Sequence, residues 1–123
     1  MRALFPMATM AAVLALGPQA FAGDAEAGAK LFKTQCGACH SPLAGKNLVG
    51  PSLFGIVGRH SGSIEGFRYS AANKSADLTW DAMTLDTYLT NPKALLPGTT
   101  MTFAGFKSET QRADAIAYLS TLR

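Results

Sequence analysis

Apolar residues recur at helical spacing in three parts of the chain. The pattern predicts a first helix from Asp24 to about Cys36, a second from Asp81 to Thr90 and a last from Ser108 to about Leu122. The apolar positions that define them are Ala25, Ala29 and Phe32, then Met83, Leu85, Tyr88 and Leu89, and finally Ala113, Ile116, Ala117 and Leu119. A further short helix is predicted near residues 70–74.

Long loops are predicted between these helices. Residues 41–63 contain glycine too often for regular structure. Asn91 precedes a proline and therefore ends the middle helix, whereas residues 108–111 form a capping box that opens the last one. Loops of this length are unusual in a small domain, and they are expected where a chain wraps a large apolar ligand. The fold class is therefore predicted to be all-α, with three to four short helices and long loops around one ligand.

Residues 1–22 differ in composition from the rest of the chain. They contain 16 apolar residues, whereas residues 23–123 contain 43 in 101. The positive charge of Arg2, the apolar run over residues 8–16 and the small residues before Gly23 have the order of a cleaved secretory signal peptide. The alternative is a membrane anchor, but the run is shorter than the roughly 20 residues of a spanning helix. We expect a single exported domain over residues 23–123, without membrane insertion after cleavage.

Composition and charge exclude several classes of protein. Charged residues make up 15% of the chain, below the roughly 25% of average proteins, which excludes a disordered polyelectrolyte. Ten basic and eight acidic residues follow position 22, and this net charge of +2 does not favour nucleic-acid binding. With 123 residues the chain accommodates one small domain, and two cysteines are too few for a disulfide scaffold.

Residues 36–40 read Cys-Gly-Ala-Cys-His, which is the attachment signature of c-type haem. Cys36 and Cys39 are three positions apart, so their thiols can form thioethers with two vinyl groups on one porphyrin edge. His40 is then held beneath the ring, where its imidazole can bind the iron. A thioredoxin-like redox pair would need alternating strands, which the pattern does not predict, and a zinc site would need two more ligands. His60, in the glycine-rich loop, is expected to be exposed and not a ligand.

Only two methionines follow residue 22, and one of them is a candidate second ligand of the iron. Met83 lies in the middle helix at core spacing, whereas Met101 follows the Pro97-Gly98 turn in a loop. A thioether is a soft ligand that raises the haem potential. The residues alone also allow an open distal side, as in a haem peroxidase or a gas-binding protein.

Residues 23–123 resemble the class I cytochrome c family, in the branch of mitochondrial cytochrome c and bacterial cytochrome c2. The segments that carry the resemblance include GDAEAGAKLFKTQCGACH, GPSLFGIVGRHSG, GFRYSAANK, YLTNPKALLPGTTMTFAGFK and RADAIAYL. It implies the all-α cytochrome c fold around one covalent haem c, with the first and last helices crossing at Gly28 and Tyr118. It also implies axial ligation by His40 and Met101.

The resemblance assigns further residues to the haem site. The carbonyl of Pro51 would accept the free N–H of His40. Three residues would hold the haem propionates: Arg59, Tyr69 and Trp80. Three others would form a polar network, with water, on the Met101 side: Asn73, Tyr88 and Thr99.

The function that the resemblance implies is one-electron transfer and not enzyme catalysis, since an iron with two protein ligands has no open site. The protein would be a periplasmic monomer that docks transiently at its exposed haem edge. A bc1-type complex is the expected donor, and a terminal oxidase or another redox protein the acceptor. Docking lysines of the mitochondrial branch are matched by Lys30, Lys46, Lys93 and Lys107. Other residues stand where lysines are common, namely Gln35, Leu48, Ala94, Thr100 and Ser108, so the basic face is thinned.

Overall fold

Helices and long loops make up residues 23–123, the part of the chain that a computed structural model describes. The helices are α1 (Ala25–Leu31), α2 (Ala71–Lys74), α3 (Ala82–Thr90), α4 (Pro92–Leu95) and α5 (Glu109–Leu119), and a π-helical turn (Phe32–Cys36) extends α1. Within this range the only β pairing is an isolated bridge between His60 and Thr79, so the all-α prediction is confirmed. No helix of the described chain is long and apolar enough to cross a membrane. The predicted signal peptide lies outside the described residues.

The predicted helix starts coincide with side-chain caps. Asp24 accepts hydrogen bonds from the first-turn amides of α1, Asp81 accepts one from Thr84 N, and Ser108 accepts one from Gln111 N. Each bond satisfies an amide that has no partner inside its helix. Helix α5 ends at Leu119, slightly before the predicted end, and the chain continues in turns. The residues 41–63 contain no helix, as predicted.

Three sequence-based expectations were wrong in detail. Helix α4 was not predicted, because Pro92 ends α3 but also stands at the first position of a new helix, where its missing N–H is harmless. Met83 is 76% exposed and not in the core. The buried face of α3 contains Leu85, and residues two positions apart in a helix point in different directions. In α5 the buried alanine is Ala115, and the predicted alanines at 113 and 117 are only partly buried.

Helices α1 and α5 cross at the point that the resemblance implies. Gly28 is buried there, and a Cβ on it would overlap the carbonyl group of Asp114 and lie 2.8 Å from Cβ of Tyr118. The rings of Phe32 and Tyr118 pack with their centroids 5.3 Å apart. The amide of Asp24 donates to Asp114 Oδ1 at 2.8 Å. A glycine at position 28 therefore lets the two backbones approach closely and fixes where α1 delivers the Cys36 segment.

Gly28→Ala is expected to lower the free energy of unfolding by about 1–3 kcal/mol, because the added methyl forces α1 away from α5. Helix propensity alone would act in the opposite direction and favour alanine by about 1 kcal/mol. The sign of the change therefore separates the two effects. Denaturant unfolding of the purified protein measures it, and an unchanged or increased stability would refute the close-approach argument.

A partly buried ion pair joins α3 to α5. Arg112 Nε donates to Asp86 Oδ1 at 2.8 Å, and the two side chains are only 12% and 29% exposed. The same guanidinium donates to the carbonyl oxygens of Phe106 at 3.0 Å and Lys107 at 3.3 Å. Arg112 thus ties the segment before α5 to α3.

Asp86→Ala is expected to cost about 1–2 kcal/mol of stability, because it leaves a poorly hydrated guanidinium without its carboxylate. The matched control is His60→Ala, which removes a pair of the same 2.8 Å length between two mostly exposed side chains, His60 and Asp77. That control is expected to change stability by less than about 0.5 kcal/mol. Chemical denaturation of both variants makes the comparison, and equal losses would contradict it.

Candidate functional site

A cavity of about 460 Å³ lies inside the helices and loops, within the roughly 300–1,000 Å³ of ligand and cofactor sites. Its walls are mostly apolar, with Phe32, Leu85, Leu89 and Ile56 among them. Every residue that the sequence assigned to the haem site lines this one cavity: Cys36, Cys39, His40, Pro51, Arg59, Tyr69, Asn73, Trp80, Tyr88, Thr99 and Met101.

Cys36 is the last residue of the π-helical turn that extends α1, and Cys39 follows three residues later. Gly37 N donates to the carbonyl of Phe32 at 2.7 Å, and the amides of Cys39 and His40 both donate to the carbonyl of Cys36. This turn brings the two thiols and the imidazole to the same wall. Both cysteines are free thiols, and burial together with the neighbouring Cys39 raises the pKa of Cys36 to about 11. A thioredoxin-like pair needs a stabilised thiolate, so the electrostatics disfavour that alternative.

His40 is oriented by one hydrogen bond. Its Nδ1 lies 2.7 Å from the carbonyl oxygen of Pro51, which can only accept, so Nδ1 carries the proton and Nε2 keeps its lone pair. Burial lowers the pKa of His40, although the bond to Pro51 acts in the opposite direction. The imidazole is therefore neutral and presents Nε2 as a metal ligand. The expected contact between Pro51 and His40 is present in the structure.

Polar side chains contact both the sulfur and the backbone of Met101. The Tyr88 hydroxyl donates to Met101 Sδ at 3.9 Å, and the Met101 amide donates to Thr99 Oγ1 at 3.3 Å. Burial raises the pKa of Tyr88, with Thr99 acting in the opposite direction, so the phenol remains a donor at neutral pH. The Oδ1 atom of Asn73 is buried without a hydrogen-bond partner. An orphaned polar atom in a cofactor-sized cavity indicates that a further group belongs there.

Arg59, Tyr69 and Trp80 form another part of the lining. The Arg59 guanidinium donates to the carbonyl oxygens of Ser52, at 2.8 Å, and Phe54. Burial lowers the pKa of Arg59, and Tyr69 acts in the opposite direction. Tyr69 Oη accepts the amide of Ile64 at 3.0 Å. Arg59 provides a fixed cation at the cavity wall, as an anionic propionate would require.

The four lysines assigned to docking do not line the cavity. Lys30, Lys46, Lys93 and Lys107 are all exposed, and Lys107 Nζ donates to the carbonyl of Thr90 at 3.3 Å. His60 is exposed, as expected, and its Nε2 pairs with Asp77 Oδ1. Among residues 23–123 no group of three or more His, Cys, Asp or Glu side chains could hold a metal ion.

Sequence reasoning missed two residues that position the site. A Cβ on Gly50 would overlap the His40 ring, so only glycine lets the backbone pass there. Ser52 is buried, and its hydroxyl donates to the carbonyl of Leu43 at 2.6 Å and accepts the amide of Phe54 at 3.2 Å. Its own carbonyl binds Arg59. The Gly50-Pro51 pair indicated a turn but not the contact with His40, and nothing in the sequence distinguished Ser52.

A family model described as "Cytochrome c" matches residues 25–123, nearly the whole described chain. The chain belongs to the cytochrome c family. A cytochrome c of Euglena viridis is 50% identical over 101 residues, which is 82% of this chain and 99% of the relative. One from Stellaria longipes is 50% identical over 98 residues, 79% of this chain and 91% of the relative. A bacterial relative, the c-type cytochrome cy of Rhodobacter capsulatus, is 46% identical over 111 residues, 90% of this chain and 55% of the relative.

Family membership gives the cavity its occupant and the protein its general role. The cytochrome binds a covalent c-type haem, and Cys36 and Cys39 are in position for the two thioethers. The free thiols, the neutral His40, the cation of Arg59 and the unpaired Oδ1 of Asn73 all fit such a group. The protein is a haem-based electron carrier that docks with other redox proteins.

Proposed function

We propose that this cytochrome is an exported one-electron carrier whose haem iron is bound by His40 and Met101. The observation that supports the ligand pair is that an imidazole with a free Nε2 and a thioether line the same cavity as the two attachment cysteines. When bound, the haem supplies reversible one-electron chemistry between its ferric and ferrous states.

The residues of the chain have separate tasks in this proposal. Pro51 holds the tautomer and orientation of His40. The Tyr88 hydroxyl donates to the sulfur of Met101, and the Thr99 hydroxyl accepts from its backbone amide, so the two residues hold the Met101 side chain and backbone respectively. The apolar walls exclude water and, together with a thioether ligand, favour the ferrous state. Arg59, Tyr69 and Trp80 would receive the propionates. If His40 and Met101 both bind the iron, as proposed, oxygen and peroxide would have no open site, which favours a carrier over an enzyme.

Partners and compartment belong to the same proposal. Electrons would pass at the exposed haem edge, in a weak and short-lived complex. A bc1-type complex is the proposed donor, and a terminal oxidase or another redox protein the acceptor, with Lys30, Lys46, Lys93 and Lys107 at the docking face. The signal-peptide pattern of residues 1–22 supports the periplasm, where the mature monomer would begin at Gly23. Mass spectrometry of the protein from a periplasmic fraction tests that start site.

A redox-difference spectrum tests the ligand pair and the carrier role together. We expect a sharp reduced α-band, a weak near-infrared band from the iron–methionine bond in the oxidised protein, and no binding of carbon monoxide to the reduced protein. A c-type spectrum that lacks the near-infrared band and responds to carbon monoxide would contradict the proposal and would indicate an open distal side.

A further inference from the structure

Exposed apolar side chains are concentrated in one stretch of the chain. Of the six large hydrophobic side chains that are exposed in residues 23–123, five lie within residues 43–57 and the sixth is Met83. Three of the five belong to one loop, which we call the exposed apolar loop: Leu43, Leu48 and Val49. Val49 is 81% exposed. Exposed apolar patches on soluble proteins mark interaction sites more often than chance predicts.

The exposed apolar loop adjoins the haem attachment motif. Val49 lines the central cavity together with Cys39 and His40, although most of its side chain faces solvent, so it stands at the mouth of the cavity. Gly50 N donates to the carbonyl of Cys39 at 2.7 Å, and Leu48 N donates to the carbonyl of Gly50 at 2.9 Å. These bonds fix the loop at the edge through which an electron would leave.

The charge of this surface decides which partner it fits. Residues 41–58 contain one charged residue, Lys46, and no acidic residue. Leu48 stands where the mitochondrial branch commonly has a lysine. The other proposed docking lysines, Lys30, Lys93 and Lys107, lie outside this loop. Carboxylates of a partner that face the loop itself would meet one cation and would otherwise be desolvated against leucine and valine, which is unfavourable. An apolar partner face would release water from both surfaces.

We propose that the exposed apolar loop is the docking surface for a redox protein whose own docking face is apolar and poor in carboxylates. This inference rests on the proposed carrier function and specifies its partner. Interfaces of this kind are depleted of charge at their centre, and they depend less on long-range steering than on burial.

Electron transfer to chemically defined surfaces tests the proposal without a natural partner. The haem-containing protein is placed on gold electrodes covered with methyl-terminated or carboxylate-terminated alkanethiol monolayers of equal chain length. Wild type is compared with Val49→Lys and with Met83→Lys, which puts a lysine on the exposed apolar residue of α3 outside the cavity. Each rate is taken at the protein's own midpoint potential, because Val49 lines the cavity and a lysine there would act on the potential. Met83→Lys is expected to keep the wild-type midpoint potential and unfolding midpoint, since Met83 is exposed and does not line the cavity.

We expect wild type to exchange electrons faster on the methyl surface than on the carboxylate surface. Val49→Lys should lose about tenfold in rate on the methyl surface, the factor that corresponds to burial of one valine side chain, and should gain on the carboxylate surface. Met83→Lys should behave as wild type. A wild type that is faster on carboxylate, or equal losses in the two variants, would overturn the proposal.

Two other binding partners of the exposed apolar loop would give different experimental results. Binding of wild type, but not Val49→Lys, to phosphatidylcholine vesicles would assign the loop to a membrane surface. Self-association in sedimentation, abolished in Val49→Lys, would assign it to a second copy of the chain. Either result would overturn the proposal. A protein with no reversible redox wave on any monolayer would contradict the carrier function itself, whereas a reversible wave that is faster on carboxylate contradicts only the docking surface.

Discussion

Met101→Ala is expected to lower the midpoint potential of the haem by on the order of 0.2 V, within the roughly 0.8 V range that axial ligands span. It should also abolish the near-infrared iron–methionine band and allow carbon monoxide to bind the reduced protein. The thioether favours the ferrous state, and its removal leaves the sixth position to water or to an added ligand. Redox titration and spectra with and without carbon monoxide give all three readouts.

The geometry explains why no other side chain replaces Met101 easily. Both cysteines are consumed by thioethers, and His40 is fixed on its wall by Pro51. Tyr88 is the polar side chain that hydrogen-bonds to the sulfur, with its hydroxyl 3.9 Å away, and burial raises its pKa. A neutral phenol is a poor ligand, so the vacated position should remain open at neutral pH.

The matched control is Met83→Ala, the other methionine of the described chain. Met83 is 76% exposed and does not line the cavity, so its removal should leave the potential, the near-infrared band and the response to carbon monoxide unchanged. If Met101→Ala kept the near-infrared band, or if the two variants behaved alike, the assignment of Met101 as the distal ligand would be wrong.

Those parts of the site that depend on local chemistry could be predicted from the sequence. The spacing of Cys36, Cys39 and His40 is fixed within one turn of backbone, so five residues suffice to recognise the attachment site. The starts of α1, α3 and α5 could be predicted for the same reason, since Asp24, Asp81 and Ser108 accept hydrogen bonds from amides in the first turns of their own helices. The assignment of Met101 depended on the family resemblance. His40 and Met101 are far apart in the sequence, and no local pattern shows that the fold brings them to the same cavity.

The errors arose where one local rule has two outcomes. A proline after Asn91 ends a helix, but the same residue can begin another, and α4 shows that it does. Helical spacing placed Met83 with Leu85, yet only the packing of α3 against α5 shows which face is buried. The count of three to four helices was too low for the same reason, since α4 has only four residues and no periodicity to detect.

Backbone contacts were the least predictable part of the site. Gly28 was expected at the helix crossing only through the resemblance, and the roles of Gly50 and Ser52 were missed. In each case the important atoms are backbone or hydroxyl groups that contact a residue at least nine positions away in the sequence. Apolar periodicity and motif spacing describe side chains, so they give no information on where two backbones must pass close together.

A substitution of Gly50 is therefore expected to have the second large effect on the site. The backbone at this residue passes directly over the His40 imidazole, and a Cβ built there would lie 2.6 Å from Nδ1 and 2.8 Å from Nε2 and overlap the ring carbon between them. Neither side can yield easily. The ring is held by the 2.7 Å bond to Pro51, and the Gly50 amide is held by the 2.7 Å bond to the carbonyl of Cys39.

Gly50→Ala is expected to lower stability by about 2–4 kcal/mol, through overpacking and through weakening of the bond between His40 and Pro51. Because the displaced imidazole is the proposed proximal ligand, the α-band and the midpoint potential should change as well. The control is Gly45→Ala, at a glycine with φ of +73° and no heavy atom within 4 Å of the added Cβ. It should cost about 1–2 kcal/mol of backbone strain and leave the spectrum and potential unchanged. A Gly50→Ala protein with a wild-type spectrum, and a stability loss no larger than that of Gly45→Ala, would show that the imidazole is not positioned by the backbone at residue 50.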